Sequence, residues 1–188
     1  DYYASRGLGD VYKRQILQKP DTFLLTERSK SIIRISGNCN GERSGGNKMK
    51  RASGVLMPVF SLPSKYGIGC FSKEAYKFVD QLKKAGQSYW QILPLGPTGY
   101  GDSPYQSFST YAGNPYFIDL KTLVKEGLLT KKECKEVRCK EQKKIDYEKI
   151  YQNRFKILKK AYRRFQKNDK YEKFLEENAF WLEDYCMY

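Results

Sequence analysis

Two apolar runs with a helical pattern between them constrain the fold of this chain more than any other feature. The first run is GVLMPVF at residues 54–60, and the second is YWQILPL at residues 89–95. Short apolar runs bounded by Gly and Pro are typical of buried strands. The apolar residues between the runs follow the i, i+3, i+4, i+7 spacing of an amphipathic helix. They are Ala75, Phe78, Val79, Leu82 and Ala85.

The residues that flank this helical pattern predict where the helix begins and ends. Ser72 is a suitable N-cap, and Gly86 is a suitable residue just after the last turn. Strand, helix and strand in this order predict a βαβ unit with parallel strands and a right-handed crossover, and therefore an α/β fold. Active sites of such folds lie in the loops after the strands. We therefore expect two loops, residues 61–72 and residues 96–114, to build the site.

The sequence beyond Asp119 predicts helices. We expect them at about residues 120–126, 131–140, 147–166 and from 169 to the end of the chain. In the third helix, one apolar stripe is expected to face the protein while the lysines and arginines face water. The stripe consists of Ile150, Phe155, Leu158, Ala161, Tyr162 and Phe165. The last helix carries many aromatic residues and stops without a cap, so we expect that the chain is incomplete.

Residue types that are missing or isolated exclude several kinds of chemistry. The chain has no histidine, so it offers neither a Ser/His/Asp or Cys/His nucleophile nor an imidazole metal ligand. Its five cysteines contain no CxxC pair, and we expect free thiols that serve in packing. No apolar run approaches the length of a membrane span, and no signal peptide is evident. We expect a cytoplasmic protein without metal, cofactor or membrane partner.

The formal net charge of +14 suggests nucleic acid as a partner until the charge is located along the chain. Net charges are +6 for residues 1–51, +1 for residues 52–120 and +7 for residues 121–188. The middle segment, with 13 of the 28 aromatic residues, is nearly neutral. The basic C-terminal segment is interspersed with acids at helical spacing, which is typical of a solvated helix face. We therefore expect no nucleic-acid partner.

Residues 1–48 differ in texture from the rest of the chain and are expected to be a non-native or disordered leader. They show little periodicity, and residues 36–47 are polar and rich in Gly. The opening DYYASRGLGDVYKRQ resembles translated adapter or assembly read-through, and Met49 is then the candidate start. A basic N-terminal arm that contacts a partner is the alternative. We expect the folded part to divide into residues 49–120 and a helical part at residues 121–188.

The segment at residues 96–120, GPTGYGDSPYQSFSTYAGNPYFIDL, has a composition that suits a neutral sugar. It contains four tyrosines and two phenylalanines among Gly, Pro, Ser and amide residues, with only two acids. Aromatic rings offer faces for sugar C–H groups, and Asp, Asn, Gln and Ser side chains bind hydroxyls. The glycines match neither a P-loop nor a GxGxxG motif. Composition alone leaves open an Ω-type loop whose tyrosines simply pack beneath it.

Three sequence blocks resemble one family, the 4-α-glucanotransferases known as amylomaltase or disproportionating enzyme, glycoside hydrolase family 77. The blocks are SGVLMPVFSLPSKYGIG at residues 53–69, AGQSYWQILPLGPTGYGDSPYQSFSTYAGNPYFIDL at residues 85–120 and FLEENAFWLEDY at residues 174–185. The resemblance begins near Lys50 and implies the N-terminal part of a TIM (β/α)₈ barrel with an inserted helical subdomain, incomplete in this chain.

The resemblance also implies an activity and a set of binding residues. The activity is transfer of α-1,4-glucan segments to an acceptor glucan or to glucose by a retaining double displacement, so maltooligosaccharides and glucose are the implied partners. Tyr105 is implied to stack on the sugar at the cleavage subsite, Ser103 and Asp102 to shape that pocket, and Tyr100 to belong to an accessory glucan-binding surface. No cofactor is implied.

The resemblance leaves one alternative open and includes one departure. The family's catalytic aspartate, glutamate and second aspartate fall farther along its chain, and neither Asp102 nor Asp119 matches one of them. The sequence MPVFSLP also stands where a histidine-containing form is common in the family. We therefore expect no disproportionation by this chain alone, and a non-catalytic α-glucan-binding module is the alternative function.

Overall fold

The computed structural model describes residues 24–25, 32–35, 51–139 and 143–187. Within these residues, four short strands form one sheet in the order β1-β2-β4-β3. The strands are β1 (Leu24–Leu25), β2 (Ile32–Arg34), β3 (Gly54–Leu56) and β4 (Tyr89–Gln91). Strands β3 and β4 are parallel, with Val55 opposite Trp90, as the βαβ pattern predicts. The two other pairings are antiparallel.

The helix between the parallel strands forms where the apolar spacing places it. Helix α1 spans Lys73–Lys84, and the Ser72 side chain caps it by accepting a hydrogen bond from the Glu74 N–H at 3.3 Å. Gly86 follows the helix with a φ of 71°, a conformation that is unfavourable for other residues. Both capping predictions are confirmed.

Both parallel strands are shorter than the apolar runs that contain them. Pro58 has no N–H to donate to a ladder, and a short 3₁₀ helix, Val59–Ser61, replaces the strand directly after it. After β4, Ile92 is buried, but Pro94 lies two residues later in the run. The first run also differs from the expected buried strand, because Leu56 in β3 is 58% exposed and Val59 is the only buried residue among residues 54–60.

Part of the leader lies in the sheet. Ile33 and Ile35 are 1% and 4% exposed, and the Ile35 N–H donates to the Ser88 carbonyl at 3.0 Å. Alternation of inward isoleucines with exposed Arg34 gives the period of two that a strand requires. The structure therefore differs from the expected leader at residues 32–35. The polar segment 36–47, Cys39 and the candidate start Met49 lie outside the described residues.

Four helices follow, close to the predicted positions but ending earlier. They are α2 (Leu120–Lys125), α3 (Lys131–Glu136), α4 (Tyr147–Arg164) and α5 (Asp169–Met187). Side chains cap the first three, with Asp119, Thr130 and Asp146 each accepting a hydrogen bond from a first-turn N–H. None of the described helices has a stretch long and apolar enough to cross a membrane.

The buried side chains form two clusters that meet at the end of the second loop. The first joins the sheet to α1 and centres on Trp90, whose indole N–H donates to the Met57 carbonyl at 2.8 Å. The second lies among α2, α3 and α4 and includes Leu123 and Leu158. Tyr116 and Phe117 belong to the first cluster and Ile118 to the second. The loop that ends at these residues is therefore fixed to both cores.

Helix α4 buries a charge that the apolar stripe did not predict. Arg154 is only 3% exposed, whereas we expected the arginines of this helix to face water. Its guanidinium donates to the Ile118 carbonyl at 3.1 Å, and burial lowers its pKa. Tyr162, which we assigned to the stripe, is 36% exposed, while Ile157 is 2% exposed. The buried face is thus rotated relative to the predicted stripe.

The four cysteines within the described residues are free thiols, as expected. Cys70 and Cys134 are buried, while Cys139 and Cys186 are partly exposed. Burial raises the pKa of Cys70 to about 12 and also raises that of Cys134. Both buried thiols therefore stay protonated at neutral pH and pack as small apolar groups.

Candidate functional site

Residues 96–114, which we name the tyrosine loop, present two tyrosines on consecutive turns. In the first turn, the Asp102 N–H donates to the Gly99 carbonyl at 3.2 Å, and Gly101 at the third position has a φ of 95°. A positive φ at this position is the signature of a type II turn. Tyr100 therefore occupies the tip, where its side chain is fully exposed.

The second turn begins directly after the first. The Gln106 N–H donates to the Ser103 carbonyl at 3.1 Å, with Pro104 and Tyr105 between them. Proline favours the second position of a turn because its ring fixes φ. Tyr105 is 73% exposed. Neither tyrosine packs beneath the loop, which is the opposite of the purely structural alternative.

The base of the tyrosine loop is narrow. Thr98 and Ser107 form an isolated antiparallel bridge, and the Ser107 hydroxyl donates to the Ser109 carbonyl at 2.8 Å. A Cβ atom added to Gly96 would collide with the Ser107 side chain and lie 2.9 Å from the Ser109 carbonyl oxygen. Only glycine fits at this position without displacing a neighbour, so the two ends of the turn region are held close together.

The tyrosine loop forms one wall of a cleft of about 720 Å³, which we name the aromatic cleft. Residues of α4 form the facing wall, and α5 contributes one residue. The side chains most relevant to binding are Tyr100, Asp102, Phe108, Asn114, Tyr116, Tyr147, Glu148, Tyr151 and Tyr185. This volume falls within the ordinary range for small-molecule sites, so the cleft has room for an oligosaccharide segment.

The electrostatics of the aromatic cleft favour an uncharged ligand. Its lining includes the acids Asp102 and Glu148 but no lysine or arginine, so the net positive charge of the chain lies elsewhere. Burial, and then the charge of Asp102, raise the pKa of Tyr116 to about 12. The same two causes raise the pKa of Tyr147. Both phenols keep their protons at neutral pH and can donate hydrogen bonds.

The aromatic residues of α5 pack against the tyrosine loop. The rings of Phe108 and Tyr185 stack at a centroid distance of 6.3 Å, and those of Tyr111 and Trp181 stack at 5.5 Å. The Trp181 indole N–H donates to the side-chain oxygen of buried Asn178 at 3.0 Å, which fixes its orientation. These contacts cover one side of the terminal helix, while Phe180 stays 69% exposed.

The structure brings together two of the four expected binding residues. Tyr100 and Asp102 line the aromatic cleft, whereas Ser103 and Tyr105 lie on the second turn and outside that lining. Of the two loops expected to build the site, residues 61–72 do not line the cleft and instead bury Leu62 and Ile68 in the first core.

Sequence reasoning missed the cleft residues on the helices. Tyr147, Glu148 and Tyr151 lie in the first turns of α4, and Tyr185 lies near the end of α5. The signal was present, because Tyr147 and Tyr151 are four residues apart and so share one helix face. That face adjoins the predicted apolar stripe of α4, so the two tyrosines are easily mistaken for residues of the hydrophobic core.

The comparison with family models decides the relationship of this chain to known proteins. Residues 57–188 match the model of the 4-alpha-glucanotransferase family, glycoside hydrolase family 77. The chain belongs to this family. The match includes the tyrosine loop and every element that lines the aromatic cleft.

Individual 4-alpha-glucanotransferases agree with this assignment. The chain is 52% identical over 135 residues to the enzyme of Clostridium butyricum. The aligned region covers 70% of this chain and 28% of that protein. It is 44% identical over 151 residues to the enzyme of Thermus thermophilus. This alignment covers 75% of this chain and 29% of that protein. The chain thus spans less than a third of the length of these relatives.

A solved structure of the same family is also similar. The amylomaltase of Streptococcus agalactiae, determined in complex with acarbose, matches with a TM-score of 0.65 and 43% sequence identity. The match covers 70% of this chain and 28% of that one. The matched part of this chain therefore shares the α/β fold of the corresponding part of that amylomaltase.

Proposed function

We propose that this chain is the N-terminal part of a 4-α-glucanotransferase that moves α-1,4-glucan segments between donor and acceptor glucans or glucose. The family match over residues 57–188 is the observation that carries the proposal. Resemblance to the family provides the reaction, a retaining double displacement. In its first step, a carboxylic acid protonates the leaving glucan's 4-oxygen while a carboxylate attacks the anomeric carbon, so the glycosidic bond breaks and a covalent glycosyl-enzyme forms. In the second step, the 4-hydroxyl of an acceptor glucan displaces the carboxylate and gives its proton back to the acid/base residue.

The role proposed for this chain is to hold glucan. The aromatic cleft combines exposed phenol rings with protonated hydroxyl donors and two acidic acceptors. Rings of this kind stack on the C–H faces of sugars, and the polar groups bind hydroxyls. A phosphate-bearing ligand would meet Asp102 and Glu148 without a compensating cation in the lining. The site therefore suits neutral maltooligosaccharides.

The proposal includes the rest of the fold. The parallel pair β3 and β4 with α1 is the first βαβ unit of a (β/α)₈ barrel, and residues 121–188 belong to an inserted helical subdomain. A single βαβ unit supplies only two of the eight strands that a barrel requires. By the family resemblance, the catalytic acids belong to the remaining part of the enzyme.

Transfer depends on aromatic stacking, because an acceptor sugar held beside the covalent intermediate outcompetes water. In the complete transferase, Tyr105→Ala should therefore reduce the rate of maltotriose disproportionation roughly tenfold or more, which corresponds to about 1.4 kcal/mol. The fold should tolerate the change because the ring is 73% exposed.

The matched control is Tyr162→Ala, which removes a partly exposed tyrosine of α4 that lies outside the tyrosine loop and has no glucan contact assigned to it. It should leave the transfer rate within about twofold of the parent. An unchanged rate in the Tyr105 variant would contradict the proposed contact.

The alternative function, a glucan-binding module without chemistry of its own, is favoured by one observation: the cleft is formed within this chain alone. The two functions share glucan binding through the tyrosine loop and differ in whether the complete protein forms products. Replacement of residues 99–105 by a glycine linker should abolish glucan binding in either case. If the complete protein converts maltotriose into glucose and longer oligosaccharides, it is the enzyme. If it binds glucan without forming any product, it is the module.

A further inference from the structure

The first turn of the tyrosine loop contains a conformation that needs support. Asp102 has a φ of 51°, and it is the only non-glycine residue with a positive φ in the part of the chain that the structure describes. Side chains other than glycine adopt this region at a cost, which Asp and Asn reduce by local hydrogen bonds. The contacts of the Asp102 side chain therefore bear on how the turn is held.

One hydroxyl connects Asp102 to the far end of the tyrosine loop. The Thr98 hydroxyl donates to the Asp102 carboxylate at 3.3 Å and accepts from the Asn114 side-chain amide at 3.4 Å. Both distances are long for hydrogen bonds, so each contact is weak on its own. A hydroxyl can donate and accept at once, which lets a single side chain link both partners.

Asn114 is a fixed point for this link. It is 4% exposed, its backbone N–H donates to the Leu95 carbonyl at 2.8 Å, and its side-chain oxygen accepts from the Tyr116 N–H at 2.9 Å. Because the oxygen is used in capping the 3₁₀ helix Pro115–Phe117, the NH₂ group is the part left for Thr98. The anchor thus lies in the buried end of the loop.

We propose that Thr98 is a positioning residue that places Tyr100 over the aromatic cleft. Tyr100 lies between Thr98 and Asp102 in the chain, so a link between these two residues restrains the turn that carries it. This inference rests on the proposed role of the cleft in binding glucan. It extends that role by assigning the orientation of the Tyr100 ring to the Thr98 hydroxyl. This hydroxyl lies four residues before the strained Asp102 and contacts both the Asp102 carboxylate and the buried Asn114 amide.

The test compares Thr98→Val with Thr98→Ser in the 188-residue chain. Valine keeps the shape of threonine and removes the hydroxyl, while serine keeps the hydroxyl and removes the methyl group. Amide hydrogen exchange measures the turn directly, without any ligand. We expect faster exchange at the Asp102 N–H in Thr98→Val, and exchange close to that of the parent in Thr98→Ser.

Maltoheptaose binding, measured by calorimetry or by chemical shift titration, provides the second readout. The dissociation constant should rise roughly fivefold in Thr98→Val and stay within about twofold in Thr98→Ser, with the unfolding midpoint unchanged in both. A merely structural role would lower the midpoint and affect exchange across the sheet as well.

The results separate the two proposals. If the parent chain does not bind maltoheptaose, the glucan-binding role of the cleft fails, and the exchange comparison still decides whether Thr98 holds the turn. If Thr98→Val matches the parent in exchange at Asp102, the positioning role is overturned. Thr98→Ser with exchange as fast as that of Thr98→Val would also overturn it, because the methyl group would then be responsible.

Discussion

The sheet and the tyrosine loop place their aromatic side chains in opposite surroundings. Trp90 in β4 is fully buried and packs edge-on against Phe78 at a centroid distance of 5.0 Å. Tyr100 and Tyr105 are held at the tips of turns and face solvent. Removal of apolar area from water stabilises the first region, whereas local hydrogen bonds and glycine geometry shape the second. Substitutions should therefore affect stability in one region and binding in the other.

The largest effect is expected at the two tryptophans of the chain, of which Trp90 lies in the sheet and Trp181 lies in α5 and packs against the tyrosine loop. Trp90→Ala should reduce the free energy of unfolding by about 3–5 kcal/mol, because it leaves a cavity and removes the hydrogen bond to Met57. Trp181→Ala should reduce it by less, since this indole is only partly buried against Tyr111. Urea unfolding followed by circular dichroism measures both. Equal losses would show that the two regions are not stabilised differently.

The next effect tests how far the sheet extends into the leader. Ile33→Ala should reduce the free energy of unfolding by about 2–5 kcal/mol, because Ile33 is buried opposite Trp90. Exposed Arg34 is the matched control, and Arg34→Ala should change stability by less than about 0.5 kcal/mol. If the two variants unfold alike, residues 32–35 do not contribute to the core in solution.

A smaller effect is expected at the base of the tyrosine loop. Gly96→Ala should reduce stability by about 1–3 kcal/mol, because the new methyl group collides with Ser107 and the Ser109 carbonyl. Gly99→Ala is the control, since no atom lies within 4 Å of an added Cβ there. Its effect should stay below about 0.5 kcal/mol in thermal unfolding. A Gly96 variant as stable as the Gly99 variant would mean that the base is not closely packed.

The smallest effect is a pH dependence in the helical part, away from both regions. The Arg164 guanidinium contacts both carboxylate oxygens of Glu133 at 2.8 Å and holds the pKa of that carboxyl well below its usual range. A depressed pKa stabilises the fold above the ordinary glutamate pKa, and this contribution is lost as the pH falls through the folded-state value.

The unfolding midpoint of the parent, scanned from about pH 7 to about pH 3, should therefore fall more steeply than that of Glu133→Gln. Glu136→Gln, which removes only a 3.7 Å contact with Lys160, should keep the slope of the parent. Parallel curves for the parent and Glu133→Gln would show that the pair does not persist in solution.

The sequence predicted the elements that depend on local chemistry. Ser72, the apolar spacing after it and Gly86 define α1 because capping and helix periodicity act over a few residues. The parallel pairing of β3 and β4 also followed from the order of elements. Strand ends were predicted less well, because Pro58 ends β3 through a single missing N–H within a continuous apolar run.

The site was predicted in part, for a related reason. Tyr100 and Asp102 are found at the cleft because the loop that carries them follows directly from a strand. Tyr147, Glu148 and Tyr151 come from a helix more than thirty residues later along the chain, and only tertiary packing brings them to the facing wall. The burial of Arg154 depends equally on a distant partner, the Ile118 carbonyl. Periodicity identifies a helix face but not the partner that covers it.

The close approach of Gly96 to Ser107 has a consequence for how this part of the molecule can vary. The base of the tyrosine loop follows β4 on one side and leads to the buried Asn114 on the other, so the two turns between them form a closed segment. Changes at the turn tips need not propagate into the sheet. Residues 99–105 are thus suited to exchange as a cassette, in which new side chains alter ligand choice on an unchanged scaffold.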